Sequence, residues 1–173
     1  MDVKKLYDDY EAYIIEMRRW FHRHPELSLK EQNTSRKIQE ELQGMGIPFE
    51  VLAPNCGVAA TIKGGKEGKT IALRADIDAL PVKEETGLEF TSENEGVMHA
   101  CGHDAHIAMM LGAAKVLNEV KEELAGTVIC VFQVAEETGF GYKEVLDYFD
   151  SIGGVDSVIG LHIWSTLPEG EIL

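Results

Sequence analysis

The 173-residue chain has few cysteines, little positive charge and no long apolar run, and each shortage excludes a class of protein. The cysteines at 56, 101 and 130 cannot all pair. The opening M-D-V-K-K-L-Y-D-D lacks the apolar core of a signal peptide, so a reducing cytoplasm, not a disulfide-built secreted fold, is expected. No apolar stretch approaches the ~18 to 20 residues that a bilayer-spanning helix requires, so no transmembrane helix is expected. Sixteen basic residues stand against thirty acidic ones, a formal charge of -14. That balance repels phosphate backbones and anionic lipid surfaces, and neither nucleic acid nor membrane is an expected partner. Half of the basic residues precede position 40, where they read as a solvated helix surface.

What remains is a chain with 45% apolar residues, enough to bury the core of one ordinary domain. Leu6, Tyr10, Ile14, Met17 and Phe21 recur every three or four positions and predict a helix over residues 5–22, ending near His24-Pro25. Ser28 and Glu31 have capping-box spacing, and Ile38, Leu42, Gly44 and Gly46 mark the stripe and stop of a second helix. From residue 48, F-E-V-L-A, G-V-A-A-T-I-K, the turn G-G-K-E-G-K and T-I-A-L-R-A read as strands with at least one hairpin. Beyond residue 96, a helix near 104–120, the strand T-V-I-C-V-F-Q-V-A, a helix near 141–150 and the strand S-V-I-G-L-H-I-W alternate. Strands apolar on both faces and separated by helices predict an α/β fold of three layers, α/β/α, around a mostly parallel sheet covered on both sides.

The densest chemistry lies in H-A-C-G-H-D-A-H, residues 99–106. In an open parallel sheet, sites form beyond the carboxyl ends of strands. There the predicted strands deliver Asp76 and Asp78, Glu136 and Glu137, and His162, while Cys101 and His103 immediately precede a helix. Thiolate, imidazole and carboxylate suit zinc, and mixed nitrogen and oxygen sets also accept manganese, cobalt or nickel. Cys101, His103, Glu137 and His162 are the expected ligands. Of the adjacent Glu136 and Glu137, one should bind metal and the other move protons, since a divalent cation acidifies water enough for a carboxylate to act as general base. Asp76 or Asp78 would orient a ligand or the base from behind. His99 and His106 have no assigned partner and read as structural, and Cys56 and Cys130 read as small buried hydrophobes. Cys101 paired with His103 as a nucleophile is the competing chemistry.

These residues carry a resemblance. F-H-R-H-P-E-L-S, G-V-A-A-T-I, A-L-R-A-D-I-D-A-L-P-V, M-H-A-C-G-H-D-A-H, G-T-V-I-C-V-F-Q-V-A-E-E and G-L-H-I-W, in that order, resemble the metal-dependent amidohydrolases that include hippurate hydrolases, N-acyl-amino-acid amidohydrolases, auxin-conjugate hydrolases and N-acetyldiaminopimelate deacetylases. The resemblance implies that Cys101, His103, Glu137 and His162 belong to a two-metal centre, with Glu136 as general base and Asp78 supporting the centre. It implies hydrolysis of the amide of a small N-acyl amino acid or dipeptide-like substrate, and a homodimeric full-length form. By the same resemblance, residues 1–173 are expected to form the N-terminal part of the catalytic domain, without the lid and dimerisation domain or a late histidine ligand. A non-catalytic metal-binding or interaction module is the alternative. Val134 replaces the proline of the family's Q-P-A-E-E, which bears on the shape of the local pocket.

Overall fold

The computed structural model describes residues 3–168, 170 and 171. Helix α1 spans Val3–Arg23 and α2 spans Gln32–Gly44. Met17 and Phe21, from the predicted stripe of α1, are buried, as are Ile38 and Leu42 of α2. Ser28 and Glu31 do not form the expected capping box, because both side chains are taken by partners distant in sequence. The Ser28 hydroxyl donates to Asp78 at 2.6 Å, and buried Glu31 accepts the Ala135 amide at 2.7 Å. The first turn of α2 is instead closed by Glu26, whose Oε2 accepts the Thr34 amide at 2.8 Å and the Thr34 hydroxyl at 2.9 Å.

Five strands follow: β1 (Phe49–Val51), β2 (Val58–Lys63), β3 (Lys66–Asp76), β4 (Ala125–Gln133) and β5 (Ser157–Gly160). They form one sheet in the order β1-β2-β4-β3-β5. The hairpin is β1-β2; β2 also runs antiparallel to β4, while β3 pairs in parallel with β4 and β5. The turn G-G-K-E-G-K does not fold β3 back onto β2, since β4 enters between them. Gly126 admits it: its φ is +91°, and a Cβ there would lie 2.0 Å from the Lys69 carbonyl oxygen.

Helix α3 (His103–Glu119) links β3 to β4, and α4 (Tyr142–Ser151) links β4 to β5. Alternation along β4 divides the core. Cys130 and Phe132 face Phe21, Ile38 and Leu111, under α1, α2 and α3, whereas Ile129 and Val131 face Val145 and Phe149 of α4. The result is the expected three-layer α/β/α arrangement. The step from β3 to β4 runs toward β2, and the step from β4 to β5 returns past β3. Right-handed crossovers in opposite directions put α3 and α4 on opposite faces and open a crevice at the carboxyl ends of β3 and β4.

One expectation fails at the sheet edge. The last strand stops at Gly160, short of His162 and Trp164, and it is not covered on both sides: Val158 and Ile159 are 54% and 50% exposed. No helix among the described residues is long and apolar enough to cross a membrane.

Candidate metal centre

At that crevice, the end of β3, the turn after β4, the segment after β5 and the first turn of α3 meet. His103 opens α3 and is fully buried. Its Nδ1 lies 2.9 Å from the Asp78 carbonyl oxygen and 3.3 Å from Asp78 Oδ1. A proton on Nδ1 leaves the Nε2 lone pair free, and Nε2 is buried without a hydrogen-bond partner. It faces Asp76 Oδ1 at 3.6 Å, Glu137 Oε1 at 3.9 Å and Glu136 Oε2 at 4.0 Å. A buried, unpartnered nitrogen among carboxylates is what a cation would satisfy.

The four expected ligands fall into two overlapping groups that share His103. Ligand atoms of Cys101, His103 and Glu137 lie within 4.8 Å of one another, as do those of Asp76, His103, His106 and His162. The exposed His162 also reaches Cys101, with Nε2 to Sγ at 3.4 Å. Donor types and spacing therefore fit divalent cations, with Cys101, His103, Glu137 and His162 available to hold them.

Support comes from behind. Asp78 Oδ2 accepts the Ser28 hydroxyl at 2.6 Å and the Glu137 amide at 3.0 Å. Asp78 thus fixes both the His103 ring and the Glu137 backbone. Asp76 accepts from Arg74 Nη1 at 2.7 Å and pairs with His106 Nδ1 at 2.6 Å. Burial alone would raise the Asp76 carboxyl, but the His106 hydrogen bond and the charges of His103 and Arg74 outweigh it and hold it at about 2. For His103, burial works against the charged ring, while Asp78 and Asp76 prevail and raise its pKa.

His106 was read from the sequence as structural, and the geometry puts it in the wall of the centre. Its Nε2 accepts the Ile163 amide at 3.0 Å, so its Nδ1 carries the proton toward Asp76. Both nitrogens are engaged, and the ring ties the segment bearing His162 to β3. The three-residue spacing from His103 is the signal that could have placed it on the same helical face. Glu31 gave no such signal, because its partner is 104 positions away. Cys56 and Cys130 are buried, as read. The raised thiol of Cys101 speaks against its reading as a nucleophile: burial and the Glu137 carboxylate push it up to about 11, whereas a reactive cysteine needs a lowered value.

Fold and site together define a class, the α/β/α proteins with a metal-ligating cluster at the carboxyl edge of the sheet. A family profile described as peptidase family M20/M25/M40 matches residues 72–173, more than half of the sequence, and the chain belongs to that family. It is 43% identical over 172 residues to an N-acyl-L-amino acid amidohydrolase of Geobacillus stearothermophilus, covering 99% of this chain and 46% of that protein. It is 48% identical over 174 residues to thermostable carboxypeptidase 1 of Saccharolobus solfataricus, covering 97% and 44%. Among solved structures, it resembles the Bacillus subtilis YXEP protein, a dinuclear metal-binding peptidase of family M20, with a TM-score of 0.88 and 44% identity over 93% of this chain and 45% of that one. The chain thus spans less than half the length of these relatives.

Proposed function

We propose that this chain supplies the metal-binding part of the catalytic domain of an M20 hydrolase that cleaves the amide of small N-acyl amino acids or dipeptide-like substrates. The observation that carries the reading is the buried, unpartnered His103 Nε2 facing Glu137 in the crevice at the strand ends. Cys101, His103, Glu137 and His162 would hold two divalent cations of the zinc, manganese, cobalt or nickel kind. The cations would acidify water and polarise the scissile carbonyl. Glu136, whose carboxylate lies 4.0 Å from His103 Nε2, takes the proton of the attacking water. The oxygen-carbon bond forms, the carbon-nitrogen bond breaks, and Glu136 returns the proton to the departing amine. Asp78 keeps His103 in the tautomer that leaves Nε2 free. In the full-length form, a second domain would complete the site and pair subunits.

Metal content by native mass spectrometry tests this. The chain should take up zinc or manganese, and Cys101→Ser combined with His103→Ala should not; equal uptake by both would end the proposal. In a full-length form, Glu136→Gln should keep the metal and lose turnover.

One observation favours a second reading, a non-catalytic metal-binding or interaction module: the uncovered apolar edge at Val158, Ile159 and Leu161. An inert oligomer that binds metal would favour the module, and a lone active chain would exclude it.

A further inference from the structure

Residues 84–102 form no helix or strand beyond the isolated bridge of Met98 to Leu80, yet they carry Cys101 to the ligand cluster. His22, near the end of α1, meets both ends of this segment. Its Nδ1 lies 2.7 Å from Asp104 Oδ2, in the first turn of α3, and its Nε2 lies 3.1 Å from Glu84 Oε1. Phe90, from the middle of the segment, packs edge-on to the His22 ring at 5.5 Å between centroids. The guanidinium groups of Arg18 and Arg19 lie 5.0 and 5.2 Å from the centre of the same Phe90 ring.

A neutral imidazole has one donor and one acceptor, so it would turn a lone pair onto one of these two carboxylates. Two carboxylate partners call for a proton on each ring nitrogen. All three side chains are nearly closed to solvent, His22 at 3%, Asp104 at 1% and Glu84 at 5% exposure. Neither carboxylate is disposed to take the proton instead. Burial works against the Glu84 charge, but the Thr86 hydroxyl, the Ser92 amide and His22 outweigh it and lower its pKa. Burial opposes the Asp104 charge as well, and the His22 hydrogen bond is foremost among the interactions that prevail. For His22 the Asp104 hydrogen bond outweighs burial, Glu84 adds to it, and the pKa is raised. Arg18 Nε donates to Asp104 at 3.0 Å. His99, in the same wall, is pushed down to about 4 by burial and is neutral near pH 7. The cations Arg18 and His22 thus balance the carboxylates of Asp104 and Glu84, as a closed site requires.

We propose that His22, as an imidazolium, is a positioning residue for the metal centre: by bridging Glu84 and Asp104 it closes the segment that bears Cys101 onto the turn that bears His103. The bridge removes chain freedom that a cation would otherwise have to remove when it draws Cys101 and His103 together. The inference rests on the metal-centre reading above. The segment has other tethers, since the Glu93 amide donates to the Arg23 carbonyl at 2.8 Å and Asn94 Nδ2 donates to the Pro25 carbonyl at 2.7 Å. Weakening the bridge should therefore loosen the approach to Cys101 without detaching the segment from α1.

Nitrogen magnetic resonance of histidine-labelled protein, together with zinc titration against a chelator, provides the test. The His22 signals are assigned by their loss in His22→Gln or, should that variant not fold, by their shift in Glu84→Ala. Both His22 ring nitrogens should carry protons at pH 7, and in Glu84→Ala the ring should lose one at lower pH than in the wild type. Zinc affinity of the native chain should fall about 10-fold in Glu84→Ala and return to within about 3-fold of wild type in Glu84→Gln, which keeps an acceptor for Nε2. A residue that contributed stability alone would leave that affinity unchanged. A single proton on the wild-type His22 ring at pH 7, or undiminished zinc affinity in Glu84→Ala, would each overturn the proposal. Failure of the metal-centre reading looks different: the wild type then takes up no zinc, whatever the protonation of His22.

Discussion

Glu31 Oε1 accepts the backbone amide of Ala135 at 2.7 Å, joining two residues 104 positions apart immediately before Glu136 and Glu137. Ala135 has φ +52°, a left-handed conformation that costs a non-glycine residue roughly 1 to 2 kcal/mol. The turn that delivers the two glutamates is therefore held against its own preference by the Glu31 carboxyl group at α2's N-terminus. Asp78 grips the same turn one step later, through the Glu137 amide.

Burial pushes Glu31 up to about 7, and the nearby Asp78 charge adds to that, although amides of Ala135 and of its own segment pull the other way. The folded chain then keeps a proton on Glu31 up to about pH 7, while the unfolded chain releases it near the ordinary value of 4.5. Between those values the folded state binds more protons, so stability falls as pH rises. At about 1.4 kcal/mol per unit, the loss totals about 3 kcal/mol. Urea denaturation across pH 4 to 8 should show this fall in the wild type, relative to Glu31→Gln. Glu31→Leu, which strands the Ala135 amide, should lose about 1 to 3 kcal/mol relative to Glu31→Gln at every pH. Parallel pH profiles for wild type and Glu31→Gln would refute the assignment.

A different kind of support comes from His106, which bridges Asp76 and the Ile163 amide. Its loss should free the segment carrying His162 without removing any of the four proposed ligands, Cys101, His103, Glu137 and His162. Competition titration with a zinc chelator should show affinity reduced about 10- to 100-fold in His106→Ala, with much of it restored in His106→Gln, whose amide can both donate and accept. A His106→Gln variant as weak as His106→Ala would show that the ring acts as a ligand.

The contrast between these residues explains what the sequence could and could not disclose. Apolar periodicity gave the strands and the helices between them, and the rule that sites form beyond the carboxyl ends of parallel strands put Asp78, Cys101, His103, Glu137 and His162 at one edge before any coordinates. The capping spacing of Ser28 and Glu31 misled because local pattern competes with tertiary demand, and here buried Asp78 and Ala135 claimed both side chains. The insertion of β4 between β2 and β3 was equally hidden, since it depends on a backbone approach at Gly126 that carries no periodic signature. The exposed edge at β5 misled in the opposite sense: an apolar run reads as buried whether or not the described chain supplies its cover.

Gly102 should tolerate no side chain. It precedes His103 with φ +91°, and a Cβ there would lie 2.2 Å from Ile163 Cδ1. Gly102→Ala would combine backbone strain with a clash against the segment that carries His162. We expect a loss of about 1 to 3 kcal/mol by thermal or urea denaturation, together with weakened zinc binding. Retention of both would mean that the first turn of α3 and the segment after β5 are not packed as described.

Zinc itself should stabilise the fold, because the ligands converge only in the native chain. Cys101, His103 and Glu137 come from the approach to α3, its first residue and the turn after β4, and unfolding disperses them. A cation that binds only the native state adds about 2.7 kcal/mol at a free concentration 100 times its Kd. Calorimetric melting should therefore show a zinc-dependent rise that a chelator reverses. The rise should vanish in Cys101→Ser combined with His103→Ala, and it should persist in Glu136→Gln, whose carboxylate is assigned to proton transfer. If Glu136→Gln abolished the rise while Glu137→Gln left it intact, the roles of the two glutamates would have to be exchanged.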